Sequence, residues 1–203
     1  VGGLVYIDFA DPKNPIVEKV DYDFAHSGYT LCTIDSGADH ADLTDEYAAM
    51  PVEMKAVAAF FGKEVLHDVD ETAFYRHIAE VRKVTGDRAV LRAIHFFNEN
   101  RRVKSQVQAL KEGDFDAFLR LVNASGMASW TLLQNVTPAG YIQKQDMAFT
   151  IALCQQLLEG EGAVRIHGGG FAGTAVAFVP NDRFDRFKTC VERVLGEGHC
   201  HKL

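Results

Sequence analysis

Residues 165–180, RIHGGGFAGTAVAFVP, carry the strongest fold signal in this 203-residue chain. Two short apolar runs, residues 163–167 and 174–179, read as strands, and three consecutive glycines, Gly168, Gly169 and Gly170, lie between them. Without Cβ atoms, the backbone N–H groups of such a run can approach an anion or a substrate closely. A tight or bulged connection between two strands accounts for the same glycines equally well.

The glycine run does not match two familiar phosphate-binding patterns. No Lys-Ser/Thr pair follows it, as the P-loop requires, and a strand rather than a helix comes next, unlike the dinucleotide fingerprint. Any ligand binding here therefore needs a different loop geometry.

Outward from this segment, the chain alternates between strand and helix patterns. Residues 4–9, 16–22 and 29–35 read as a meander of three strands, and a helical period begins at residue 43. Asp70, Asp87, Asp114 and Asp182 stand where helix N-caps are expected, and a further helix is expected over residues 140–158. Strands, a helical block, a strand pair and a closing helix together predict an α+β fold with a mostly antiparallel sheet.

Composition excludes several functional classes. The net charge is −7 and 24% of residues are charged, so the basic stripe of a nucleic-acid-binding protein is missing. No apolar window approaches the roughly 20 residues of a membrane span. The four cysteines are scattered without a CxxC pair, which favours reduced thiols and a cytoplasmic location.

Residues 34–54, IDSGADHADLTDEYAAMPVEM, form a second candidate site. A strand end, a polar loop and a helix start bring Asp35, His40 and Tyr47 toward one edge of the predicted sheet. Carboxylates and an imidazole there could serve base chemistry or hold a magnesium ion. Helix capping and the helix dipole explain the acidic residues without any catalytic role.

In this order and spacing, the two segments resemble galactokinases of the GHMP kinase family. RIHGGGFAGTAVAFVP is similar to the third GHMP motif, and IDSGADHADLTDEYAAMPVEMKAVA is similar to the strand, loop and helix that carry a Glu-Tyr pair. Between them, RAIHFFNENRRVKSQVQALKEGDFDAFLRLVNAS resembles the long helix of the family and its Gly-Asp turn. The resemblance covers nearly the whole chain.

The resemblance implies a C-terminal portion of a divergent bacterial member. Residues 37–203 would form the GHMP kinase C-terminal domain, with a ferredoxin-like, mostly antiparallel sheet, and residues 1–36 the last strands of a truncated N-terminal domain. By the same resemblance, Tyr47 contacts the sugar, and Gly168, Gly169 and Gly170 line the active site. ATP and magnesium would be held mainly by upstream segments, so neither a catalytic residue nor a metal ligand is expected within this chain.

The resemblance implies that the intact protein phosphorylates galactose at its anomeric hydroxyl and that this portion is inactive alone. Two departures keep other functions open: Asp39 stands where a basic residue is frequent, and residues 125–135, SGMASWTLLQN, lack the charged residues of the family. A kinase for another sugar and a non-catalytic sugar sensor are the alternatives. Self-association is also expected, because a surface built to pack on another domain exposes apolar area.

Overall fold

The structure, a computed structural model, describes residues 4–38 and 43–203. Its strands are β1 (Leu4–Asp8), β2 (Ile16–Val20), β3 (Tyr29–Asp35), β4 (Ala163–Ile166), β5 (Thr174–Pro180) and β6 (Cys200–Lys202). Its helices are α1 (Thr44–Phe60), α2 (Glu71–Arg76), α3 (Ile78–Thr85), α4 (Asp87–Lys111), α5 (Phe115–Ala128), α6 (Asp146–Leu158) and α7 (Phe184–Leu195).

A four-stranded antiparallel sheet in the order β4-β5-β3-β6 forms the centre of the molecule. With α6 before β4 and α7 before β6, the chain follows the β-α-β-β-α-β path of ferredoxin-like folds. Helices α1 to α5 are inserted between β3 and α6. The predicted α+β class with a mostly antiparallel, ferredoxin-like sheet is confirmed.

The predicted meander of three strands is wrong at its third member. Strands β1 and β2 pair with each other, from Leu4 opposite Val20 to Asp8 opposite Ile16. Strand β3 instead pairs with β5 along its whole length and with β6 on its other side. Its alternate residues Thr30, Cys32 and Ile34 are buried, whereas β2 buries only Val20, so β3 has the character of a central strand.

The proposed division at residues 36 and 37 places β3 in a different domain from β5, its partner in the sheet. Where the domains of the protein divide stays a prediction. Of the strands in the described part of the chain, only β1 and β2 lie outside the four-stranded sheet, and they form a hairpin of their own.

Two predicted helix caps are confirmed, and both stop a helix start from fraying. The Asp70 carboxylate accepts a hydrogen bond from Ala73 N at 2.7 Å, and the Asp114 carboxylate accepts one from Ala117 N at 2.8 Å. Helix α4 begins differently, because Gly86 precedes it and the Asp87 carboxylate is turned back to Arg82.

Other boundaries differ from expectation. Asp182 lies in a short 3-10 turn and makes no cap bond to α7, and α6 begins at Asp146 rather than near residue 140. The helix expected after Asp70 is divided at His77 into α2 and α3. The C-terminal residues form β6 beside β3, where Cys200 is buried in the core.

Three apolar clusters hold these layers together. Helices α6 and α7 cover one face of the sheet, α5 packs on β4, and α1 to α4 share a helical core around Phe74. Gly126 permits the close approach of α5, because a Cβ there would lie 3.0 Å from the carbonyl oxygen of Val164. In the described ranges, none of the helices has the length and apolar character needed to cross a membrane.

The β1–β2 hairpin exposes an apolar hairpin face, made of Val5, Ile7 and Val17, and Phe9 and Ile16 are also exposed at the turn end of the hairpin. A cavity of 590 Å³ lies between this hairpin and helices α1 and α4. A group of exposed apolar side chains of this kind is typical of an interaction surface.

Candidate functional site

Residues 168–173, the glycine loop, connect β4 to β5 and meet helix α1 at Tyr47. The Tyr47 hydroxyl donates a hydrogen bond of 2.6 Å to the carbonyl oxygen of Gly170. The Tyr47 ring lies edge-on to the ring of Phe171, with 5.3 Å between the centroids. Burial raises the pKa of Tyr47 above its ordinary value, so the phenol is protonated at neutral pH and able to donate.

The opposite side of the loop rests on Asn135, which sequence reasoning did not single out. Its side-chain Nδ2 donates to the carbonyl oxygen of Gly169 at 3.1 Å, and its main-chain oxygen accepts from Phe171 N at 2.5 Å. Asn135 is buried, with 3% of its surface exposed. The loop is therefore held from two sides by residues that lie 88 positions apart, Tyr47 and Asn135.

The three glycines differ in what surrounds them. Gly168 and Gly169 are exposed, and Gly170 is buried. Gly168 has φ +72, and no described atom lies within 4 Å of its Cβ position, whereas a Cβ on Gly169 would lie 3.1 Å from the Tyr47 ring. A Cβ on Gly170, at φ +97, would lie 2.5 Å from Asn135 Nδ2. Only glycine fits the third position, whereas the first is exposed and has no described atom near its Cβ position.

Phe171 shows that the loop is tightly determined. It has φ +61, a left-handed conformation that is rare for an aromatic residue, and only 3% of its surface is exposed. Its ring packs with Leu43 and Ala172 and against Tyr47. Such a conformation persists only where surrounding contacts enforce it, and it is enriched at functional sites.

Strand β3 ends beside the far end of the loop. Asp35 stands opposite Thr174 in the register, and Ser36 binds the Gly173 carbonyl through its N–H at 2.9 Å and its hydroxyl at 2.7 Å. The Asp35 carboxylate accepts from Gly37 N at 2.9 Å and so closes a local turn. Asp35 thus borders the site, while His40 and Asp39 lie outside the described residues.

A buried ion pair joins the supports of the loop. Arg92 of α4 has 0% of its surface exposed, and its Nη1 contacts the Glu53 carboxylate of α1 at 2.9 Å. Its Nε donates to the carbonyl oxygen of Leu133 at 3.0 Å, two residues before Asn135. Burial lowers the pKa of Arg92, and Glu53 acts in the opposite direction. The pair couples the helix of Tyr47 to the segment of Asn135.

The described residues offer backbone groups rather than metal ligands at this site. In residues 4–38 and 43–203, no three His, Cys, Asp or Glu side chains come together as a metal site. A cavity of 220 Å³ lies beside Phe171, lined in part by Leu43, Val136 and Met147. It is smaller than the roughly 300–1,000 Å³ of typical ligand pockets.

Comparison with known proteins identifies kinase relatives. No protein-family model matches the chain. It is 29% identical over 164 residues to a galactokinase of Glaesserella parasuis and 30% identical over 158 residues to a galactokinase of Mannheimia succiniciproducens. These matches cover 81% and 78% of this chain, but only 41% and 39% of the relatives. The chain thus spans about two-fifths of the length of these curated relatives.

Solved structures agree on the fold. The galactokinase of Lactococcus lactis, determined with galactose, matches with a TM-score of 0.66 and 21% identity, over 94% of this chain and 47% of that one. The mevalonate kinase of L. major, determined with R-mevalonate, matches with a TM-score of 0.58 and 13% identity, over 99% and 48%. Likeness in sequence to galactokinases, together with the shared fold of these two kinases, confirms the predicted resemblance: this is a galactokinase-like chain with the fold of the GHMP kinases.

Proposed function

We propose that this chain forms one wall of the sugar site of a galactokinase-type enzyme, which transfers the γ-phosphate of ATP to the anomeric hydroxyl of galactose. The observation that carries the proposal is the glycine loop held between Tyr47 and Asn135, with its first glycine open. The likeness to galactokinases supports the kinase class, and the glycine loop supports the choice of this wall.

The loop suits the recognition of a charged or hydroxylated group by backbone atoms. Gly168 and Gly169 are exposed, and in this proposal a phosphate oxygen or a sugar hydroxyl approaches the backbone of the loop at Gly168. Donors held rigidly in this way stabilise negative charge without reorganising as the reaction proceeds. In this proposal Tyr47 borders the sugar and fixes the loop through its bond to Gly170.

In this proposal ATP meets the wall through such backbone contacts. The described residues provide no ligand set for magnesium, so we derive no step through a metal, and the ATP-binding and catalytic groups are proposed to lie outside residues 1–203. Magnesium with ATP would supply charge neutralisation during phosphoryl transfer. The 203 residues alone are then expected to be inactive, and a cytoplasmic location remains part of the proposal.

A chimera tests this function directly. Residues of this chain replace the matching region of the Haemophilus influenzae galactokinase, which is 29% identical over 158 residues. Galactose 1-phosphate is measured for the chimera, for this chain alone and for the longest natural polypeptide containing this sequence. We expect product from the chimera and the natural polypeptide, and none from the chain alone.

The alternatives predict different results in the same assay. A kinase for another sugar forms product from N-acetylgalactosamine or a uronic acid in preference to galactose. A sugar sensor binds galactose in the natural polypeptide without turnover. Product from the chain alone would overturn the divided site, because it would place all catalytic groups within these 203 residues.

A further inference from the structure

The side-chain amide of Asn135 has only one chemically consistent orientation. Its Nδ2 lies 3.1 Å from the carbonyl oxygen of Gly169, and a carbonyl oxygen can only accept. The donor must therefore face the loop, which turns Oδ1 away from it. Oδ1 is buried and has no hydrogen-bond partner within the described residues.

Leaving Oδ1 buried without a hydrogen bond is unfavourable in free energy. The benefit of an asparagine at this position must therefore come from another of its groups. What the Asn135 side chain contributes is a single donor, placed under the carbonyl of Gly169. Its main chain adds a second contact, since its carbonyl oxygen accepts from Phe171 N at 2.5 Å. Together the two bonds fix the loop on either side of Gly170.

Asn135 is itself held in place by the fold rather than by its neighbours in sequence. It follows Gln134, which has φ +57, and a π-helical turn, Ser129–Leu133, that extends α5. Arg92 binds the Leu133 carbonyl at 3.0 Å and is anchored to Glu53. Since Glu53 and Tyr47 share helix α1, both supports of the loop are tied to one buried ion pair.

We propose that Asn135 is the positioning residue of the glycine loop, and that its Nδ2 donor keeps the loop in the shape in which Gly168 is open. Its effect on the kinase rests on the proposed function, whereas its effect on the loop does not. The donor is the decisive property, so a residue of equal size should fail unless it carries a proton at this position.

Asn135→Asp provides that test, because the state of the new carboxyl group depends on pH. A carboxylate would place an acceptor against the Gly169 carbonyl and lose the bond, while the protonated acid donates and restores it. Burial favours the neutral form and shifts this change toward neutral pH. Asn135→Ala has no donor at any pH. Asn123→Asp is the matched control, since Asn123 Nδ2 donates to another glycine carbonyl, that of Gly162, at 3.0 Å.

The readout is hydrogen exchange of the Phe171 and Ala172 amides in the 203-residue chain, normalised to intrinsic rates. Both amides are hydrogen-bonded in the structure, to Asn135 O and Gly170 O. At about pH 8 we expect Asn135→Asp to lose protection roughly tenfold or more, with recovery toward the unsubstituted chain at about pH 5. Asn135→Ala should lose protection at both pH values, and Asn123→Asp at neither.

Other ionisable groups around the loop make the unsubstituted chain an essential reference at each pH. These are Tyr47 and Glu46 from α1, Arg92 from α4 and His167 at the start of the loop. Full protection in Asn135→Asp at about pH 8, or equal loss at both pH values, would overturn the role of the donor.

The chimera gives a separate functional readout. There, Asn135→Asp should raise the KM for galactose, and this rise should shrink as pH falls. An inactive unsubstituted chimera would count against the proposed function and leave the exchange result standing. An active chimera whose KM is unchanged by Asn135→Asp would count against Asn135 as a positioning residue for the reaction.

Discussion

Alanine substitutions at the three loop glycines should produce three different losses of stability, although the sequence change is the same. At Gly170 the structure gives two penalties. A positive φ of +97 costs an L-residue about 1–2 kcal/mol. The new Cβ would lie 2.7 Å from Asn135 Cγ and closer still to its main-chain oxygen, and overpacking of this kind costs about 1–3 kcal/mol. Gly170→Ala should therefore lose about 2–5 kcal/mol.

The other two positions serve as internal controls. Gly168→Ala has the positive φ, but among residues 4–38 and 43–203 no atom lies within 4 Å of the new Cβ, so only about 1–2 kcal/mol should be lost. At Gly169 the φ is not positive and the contact is with the Tyr47 ring at 3.1 Å, a side chain that can shift slightly. Gly169→Ala should cost about 1 kcal/mol or less.

Urea unfolding of the 203-residue chain measures all three, with the free energy of unfolding taken from curves of equal slope. The expected order of loss is Gly170→Ala, then Gly168→Ala, then Gly169→Ala. An equal loss in the free energy of unfolding at Gly168 and Gly170 would refute the steric penalty from Asn135. Backbone conformation alone would then explain both losses. A Gly170→Ala chain as stable as the parent would refute both penalties.

Four further predictions concern the residues around the loop and the open surface. Tyr47→Phe removes one hydrogen bond to the glycine loop and should lower the free energy of unfolding by about 1 kcal/mol, measured in urea. Glu53→Ala leaves the fully buried Arg92 guanidinium without its carboxylate, so a loss of about 3 kcal/mol is expected in the same assay. His95 is buried and its pKa is lowered by desolvation; because the folded state then binds fewer protons than the unfolded one, stability should fall as pH drops below about 6.5, and His95→Gln should flatten that dependence in thermal unfolding followed against pH. The charged groups that modulate His95 are Glu99 and Arg102 of α4 and Arg165 of β4. Light scattering should show concentration-dependent self-association through the apolar hairpin face, reduced by Ile7→Glu; a strictly monomeric chain over a wide concentration range would contradict this.

Local chemistry explains which parts of the fold could be predicted. Asp70 and Asp114 were recognisable as caps because the carboxylate and the N–H it accepts from lie three residues apart. Strands β4 and β5 could also be predicted from the sequence, since their apolar runs are short and the glycine loop separates them. The local signal was sufficient at these two caps, whereas the same signal at Asp87 and Asp182 was not followed by a cap.

The pairing of strands that are far apart in the sequence could not be predicted in the same way. The partner of β3 is β5, with Cys32 opposite Ala177, and no feature of residues 29–35 distinguishes this pairing from a hairpin with β2. Strand β6 has only three residues, two of them exposed, so its sequence gives almost no periodic signal. It forms because Cys200 fills the core beside β3, which is a tertiary effect.

The candidate site divides along the same line. Three consecutive glycines are easily recognised in a sequence. The resemblance to galactokinases then predicted that Tyr47 belongs to the same site. Asn135 carries no comparable signal, because its value depends on the carbonyl of Gly169, 34 residues away, and on a π-helical turn held by Arg92. A buried polar residue of this kind is detected only by asking which group satisfies each backbone carbonyl of the loop.

These contacts give the two ends of the glycine loop different roles. Gly170 is enclosed, since its carbonyl receives the Tyr47 hydroxyl and the position of its absent Cβ is filled by Asn135. Among the described residues, no atom lies near the Cβ position of Gly168, so the buried end of the loop is fixed while its exposed end is less constrained. A rigid base with an accessible N–H is what preorganised recognition of a charged group requires, because the donor is then in place before the ligand arrives. Weakening either support should therefore impair ligand recognition at Gly168, although the Tyr47 hydroxyl binds Gly170 and Asn135 Nδ2 binds Gly169.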